Sequence, residues 1–173
     1  MRAIPITVAA LSAALLLTAC DDNGGDSGGG KSKAGDACTL DGVGVQVAAS
    51  AAPAAGDTGN VTVTITNRGT KCTVNGFPGV DLNAGDTSAK VPADKAAKAQ
   101  KLTLAKDATA SFTITYVRGA AGGKKSLPVK TAKFSLPGST ADHSFTWSYG
   151  EVALKGDAGE PNASVTAFAQ AGD

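Results

Sequence analysis

Val61, Val63 and Ile65 alternate with Thr62, Thr64 and Thr66, and the same two-residue period returns in Ala110–Val117, where Phe112, Ile114 and Tyr116 share one face. Only a pleated strand sends every second side chain to the same side, whereas a helix needs a spacing of three to four. Val43, Val45 and Val47 repeat the pattern around Gly44 and Gln46. Shorter apolar runs at Lys71–Val74, Val80–Leu82, Leu102–Leu104, Lys133–Leu136, Ser144–Tyr149, Val152–Leu154 and Ser164–Phe168 read as further strands. Between them lie turn sequences such as Asn67-Arg68-Gly69-Thr70 and Asn75-Gly76-Phe77-Pro78-Gly79, in which Asn and Gly tolerate positive φ. Strands at this spacing predict an all-β sandwich or barrel. The one helical candidate is Ala93–Gln100, too short to change the class.

The amino terminus has a different character. Arg2 is the only charge before Asp21, and Ala3–Ala19 is apolar, densest at Leu11–Leu17. A positive end followed by an apolar core is the pattern of an export signal. Cleavage by an ordinary signal peptidase after Ala19 would put the large Leu17 third-last, where a small residue is needed. Leu17-Thr18-Ala19-Cys20 instead resembles a bacterial lipobox. The resemblance implies removal of residues 1–19, a diacylglyceryl thioether on Cys20 and further fatty acyl chains of the palmitate type. One chain holds a protein at a membrane only marginally, whereas two hold it stably. The segment 20–36 (Asp21–Asp36 reads DDNGGDSGGGKSKAGD) has no apolar side chain larger than alanine beyond the anchor cysteine and reads as a flexible tether. The expected domain is 37–171, and the expected place is the extracytoplasmic face of the cell membrane.

Loss of residues 1–19 leaves 15 of the 16 basic residues against 15 acidic ones. A chain without net charge lacks the long-range attraction that nucleic acid binding needs, so no nucleic acid partner is expected. Aromatic residues are few, so the core must rest on Val, Leu, Ile and Ala. With Cys20 lipidated, Cys38 and Cys72 remain. Outside the cytoplasm such a pair is expected to form a disulfide, the alternative being two free thiols. A cysteine-ligated metal would need more ligands than these two.

Cys38-Thr39, Thr66-Asn67, Cys72-Thr73 and Gly76-Phe77-Pro78-Gly79-Val80 together resemble the actinobacterial, lipoprotein-associated domain of unknown function 4232. The similarity covers roughly Cys38–Val117 and implies an immunoglobulin-like antiparallel β-sandwich with a Cys38–Cys72 bridge. The chain departs from that pattern in lacking a second cysteine pair. It also has Leu104-Ala105-Lys106-Asp107 where many members place a Pro-Gly turn. No activity attaches to the resemblance.

Several local motifs suggest chemistry and fall short of it. Gly119–Ser126 is Gly-rich with Lys124 and Lys125, but Arg118 sits where a phosphate loop needs its first glycine, so a hairpin loop is expected. Asp81, Asn83 and Asp86 alternate like calcium ligands around Gly85, but no downstream bidentate acid completes the set. His143 adjoins Asp142 without a nucleophile signature. With Met1 the only methionine and His143 the only histidine, copper carriage lacks its soft ligands. No metal, cofactor or catalytic residue is expected. Phe145, Trp147 and Tyr149 share one strand face and read either as core or as a candidate binding face. Two functional classes follow. The first is a non-catalytic envelope module that binds a protein or cell-wall ligand or has a structural role. The alternative is an exported hydrolase using surface carboxylates such as Asp81, Asp86 or Asp142.

Overall fold

A computed structural model describes residues 36–156 and 159–170. The expected export signal, Cys20 and all of the expected tether except Asp36 lie outside the described residues.

The described chain is all-β. Its strands are β1 (Val43–Ser50), β2 (Thr58–Asn67), β3 (Cys72–Asn75), β4 (Gly79–Ala84), β5 (Thr87–Lys90), β6 (Lys101–Leu104) and β7 (Thr109–Val117) in the first part. The second part supplies β8 (Ser126–Leu127), β9 (Thr131–Ser135), β10 (Asp142–Thr146), β11 (Val152–Lys155), β12 (Glu160–Pro161), β13 (Ala163–Val165) and β14 (Ala169–Gln170). One antiparallel sheet runs β1-β2-β7-β13, with β14 also on β7. A second runs β10-β9-β4-β5, also antiparallel. Two smaller antiparallel sheets, β12-β11-β8 and β3-β6, complete the domain.

The alternation in β2 and β7 decides which face is inside. Val61, Val63 and Ile65 are fully buried, as are Ala110, Ile114 and Tyr116, with Phe112 nearly so. From the second sheet Val80, Leu82, Ala132 and Phe134 meet them. The Phe112 ring stands edge-on to Phe134 at 5.3 Å and to Phe168 at 5.1 Å, joining β7 to β9 across the core. Such edge-to-face pairs add to the burial of the rings themselves. With few aromatics, the remaining volume is filled by β-branched residues, which suit a pleated surface.

Cys38 and Cys72 are joined by a disulfide with Cα atoms 5.0 Å apart. The Cys38 N–H also donates to the Thr73 carbonyl at 3.0 Å, so the segment before β1 is held to β3 by a covalent link and a backbone bond together.

Three local expectations need correction. Ala93–Gln100 is not a helix: Ala93 bridges to Val165, and the Asp94 side chain accepts from the Ala96 N–H at 2.9 Å, closing a turn. A segment of this length cannot offset the cost of helix nucleation, and Asp competes for the backbone. The aromatic strand ends at Thr146 rather than Tyr149, because Gly150 takes φ +90° and turns the chain. The last predicted strand is two short ones, Ala163–Val165 and Ala169–Gln170, both on β7. The strand Thr87–Lys90, absent from the sequence reading, completes a hairpin with β4 through Gly85-Asp86, where Gly85 has φ +61°. A glycine at the first position of a two-residue turn suits the twist of a hairpin.

Candidate functional site

The two faces of the sandwich differ in charge. On the second sheet the outward positions include Asp81 on β4, with Lys133 of β9 on one side and Lys90 of β5 on the other. Lys133 Nζ lies 3.3 Å from Asp142 Oδ2. With side chains about half exposed, this pair is hydrated and contributes little to stability.

The outward face of the first sheet has no charged residue on β1, β2 or β7. Gly44, Gln46 and Ala48 of β1 lie beside Thr66, Thr64 and Thr62 of β2, which in turn face Thr109, Ser111 and Thr113 of β7. Ranks of hydroxyls therefore cross the sheet. Thr62 Oγ1 and Thr113 Oγ1 are 3.1 Å apart, and Thr115 Oγ1 donates to Asn60 Oδ1 at 2.8 Å. The Arg68 guanidinium closes one corner: a Cβ placed on Gly44 would meet its Nε at 2.5 Å. Apart from that guanidinium at its corner, the patch has no charged group on its three strands, the charge depletion typical of a contact surface, though not the aromatic enrichment. Its β1 margin is a sheet edge with no strand beyond it among the described residues.

The residues singled out by the sequence fall as follows. Trp147 is 4% exposed, and Phe145 and Tyr149 are half-buried and packed on the core. Trp147 stands edge-on to Tyr116 and to Tyr149, both at 5.0 Å, and its Nε1–H donates to the Gly150 carbonyl at 2.8 Å. Trp147 therefore belongs to the core, with Phe145 and Tyr149 packed against it, so the three are not an exposed stripe. Asp142 and His143 are consecutive in β10 and point to opposite faces. The His143 ring lies 5.4 Å from Phe134 while Asp142 pairs with Lys133.

Asp81 and Asn83 lie on β4, and Asp86 is at the hairpin tip. Among the described residues no group of three or more His, Cys, Asp or Glu is placed to hold a metal ion. In the Gly119–Ser126 loop the Gly122 N–H is already taken by Glu151 Oε1 at 2.9 Å, and the Gly119 N–H by the Glu151 carbonyl.

An open groove of about 560 Å³ also lies between β5 and β12, walled by Ala89, Lys90, Pro92, Glu160 and Pro161. Neither it nor the hydroxyl patch was named from the sequence. The groove joins segments far apart in the chain. The patch was written in the threonines of β2 and the Ser/Thr positions of β7, but only strand order shows that they adjoin.

Residues 38–169, about three quarters of the chain, match the family described as a domain of unknown function, DUF4232. The match continues well past Val117, where the recognisable motifs end. No curated protein matches the chain.

Proposed function

The chain belongs to the domain of unknown function family DUF4232, and from that premise we propose that it is a membrane-anchored lipoprotein presenting a non-catalytic binding or structural β-sandwich on the extracytoplasmic face. The observation that carries the binding role is the hydroxyl face of β1, β2 and β7, whose strands carry no charge and which only the Arg68 guanidinium borders, in a sandwich whose other face carries charges on its strands. Neutral hydroxyl and amide groups exchange water for a partner's polar groups at less cost than ions do. The fitting ligand is thus an uncharged protein surface or cell-wall component.

The anchor reading rests on Leu17-Thr18-Ala19-Cys20 at the end of an apolar stretch. A Cys38–Cys72 disulfide agrees with an oxidising compartment. Two measurements test the proposal. Cys20→Ala is expected to leave the membrane fraction or to accumulate as precursor, and a cleaved Cys20→Ala protein that stays on the membrane overturns the anchor. For the face, a photocrosslinker at Thr64 should capture an envelope component on living cells, while one at Lys133 on the opposite face should not. Equal capture from both positions removes the argument for the face.

A further inference from the structure

An antiparallel ladder alternates residues whose backbone groups bond to the neighbour with residues whose groups point away. The Arg68 N–H donates to the Gly42 carbonyl at 2.9 Å, which places Gly42, Gly44, Gln46, Ala48 and Ser50 in the set bonded to β2. The Asn67 N–H bonds to the Ala108 carbonyl on the β7 side, the phase this assignment requires of β2. Val45, Val47 and Ala49 therefore direct their N–H and C=O groups to the open edge. Val43 presents only its carbonyl there, its N–H being used by the Leu40 carbonyl.

Open edges are ordinarily made short or guarded by charge, proline or a bulge, since an unguarded one accepts another strand. The other open edges follow that rule: β5 is four residues with Lys90, β6 is four with Lys101, and β10 is five with Asp142. By contrast β1 has eight residues, VGVQVAAS, with no charge and no proline, and its register against β2 is unbroken from Val43 to Ser50.

We propose that β1 pairs antiparallel with β1 of a second copy, about a two-fold axis at Gln46, joining the two first sheets into one. In this register Val45 faces the second copy's Val47, Val43 faces its Ala49, and Gly44 faces its Ala48. The residues with outward backbone groups then lie opposite one another, as hydrogen bonding requires. The half-buried Val45 and Val47 then face Val47 and Val45 of the other copy, and Val43 faces its Ala49, apolar against apolar. The strand carries no charge, so two identical edges meet without repulsion. The tether is a poorer occupant, since Asp21–Asp36 offers no apolar side chain to those valines beyond alanine. One strand per copy makes a small interface of the transient kind, so trapping is the suitable assay. The proposal stands on the edge alone and does not depend on the lipid anchor.

Gln46 is the residue that meets itself. Directly opposed residues of a non-hydrogen-bonded pair have Cα atoms about 4.5 Å apart, within the roughly 4.4–6.8 Å that a disulfide spans. In the full-length chain, Gln46→Cys under a mild chemical oxidant is expected to give a reducible covalent dimer of this protein. Ala48→Cys and Ser50→Cys, which face Gly44 and Gly42 of the other copy, are expected to give several-fold less. Added to Gln46→Cys, Ala48→Lys should lower the yield several-fold, because it faces a Gly44 covered by the Arg68 guanidinium. Ala48→Glu at the same exposed site should keep or raise it. That opposite response separates a charge contact from misfolding, and circular dichroism of both variants checks the fold. No dimer from a folded Gln46→Cys protein, equal trapping at all three cysteine positions, or a crosslink to a different protein overturns self-pairing.

Discussion

Asn67 shows how one side chain can hold three segments together. It is 1% exposed and stands at the end of β2, where the chain must leave the sheet. Its Nδ2 lies within donating distance of the Thr70, Leu104 and Ala105 carbonyls, at 2.8, 3.0 and 3.2 Å, while its Oδ1 accepts from the Gly69 N–H. The Asn67 carbonyl accepts from Asp107, which holds φ +66° in the turn from β6 to β7. Asp is among the few residues that tolerate this left-handed region, so it can stand in for the glycine of a Pro-Gly turn. Asn67→Ala leaves buried carbonyls without a donor and is expected to cost about 2–4 kcal/mol. That loss would appear as a urea midpoint lower by about 1–2 M. Asn67→Asp should be worse than alanine, because its carboxylate would face those carbonyls. Equal midpoints for the wild type and both variants would show that the network contributes nothing. The sequence marked Asn67 as a turn residue, but which carbonyls it serves depends on the distant turn after β6.

At the scale of elements, β2 and β7 make the longest ladder, from Thr58↔Val117 to Thr66↔Thr109. Inside it Gly59 pairs with Tyr116 and leaves room for the ring: a Cβ on Gly59 would meet Tyr116 Cε1 at 2.6 Å and the Ala52 nitrogen at 2.7 Å. The Tyr116 hydroxyl uses that position to accept from the Ala52 N–H at 3.2 Å and to donate to the Tyr149 carbonyl at 2.7 Å. It thereby ties the β1–β2 connection to the turn after β10. Gly59→Val must displace the ring and break both bonds, at an expected cost of about 2–4 kcal/mol by thermal melting. Asn60→Ala, one residue away and exposed, should stay within roughly 0.5 kcal/mol of wild type. If Gly59→Val melts with wild type, the close approach is not limiting. Alternation made Val61–Thr66 legible as a strand, but Thr58–Asn60 had no such period and joined it through pairing with β7. The supposed helix at Ala93–Gln100 failed for the complementary reason, since Ala93 and Asp94 find backbone partners at Val165 that local propensity cannot register.

Over the whole molecule, the Cys38–Cys72 bridge spans a sequence separation of 34 and encloses β1 and β2. Chain entropy assigns such a loop roughly 3–4 kcal/mol. Reduction is therefore expected to lower the melting temperature by roughly 6–15 °C. Labelling of either cysteine by a thiol reagent in the native, unreduced protein would contradict the bridge. The cysteine pair and the all-β class were readable in the chain. Each rests on local composition or on a period of two, quantities that need no knowledge of neighbours in space. The tertiary structure alone decided the order of strands in each sheet. With it came the burial of Trp147 and the joining of Thr62, Thr113 and their neighbours into one hydroxyl-rich face. It also left β1 with an open edge, because whether a strand is central or marginal depends on which distant segments hydrogen-bond to it.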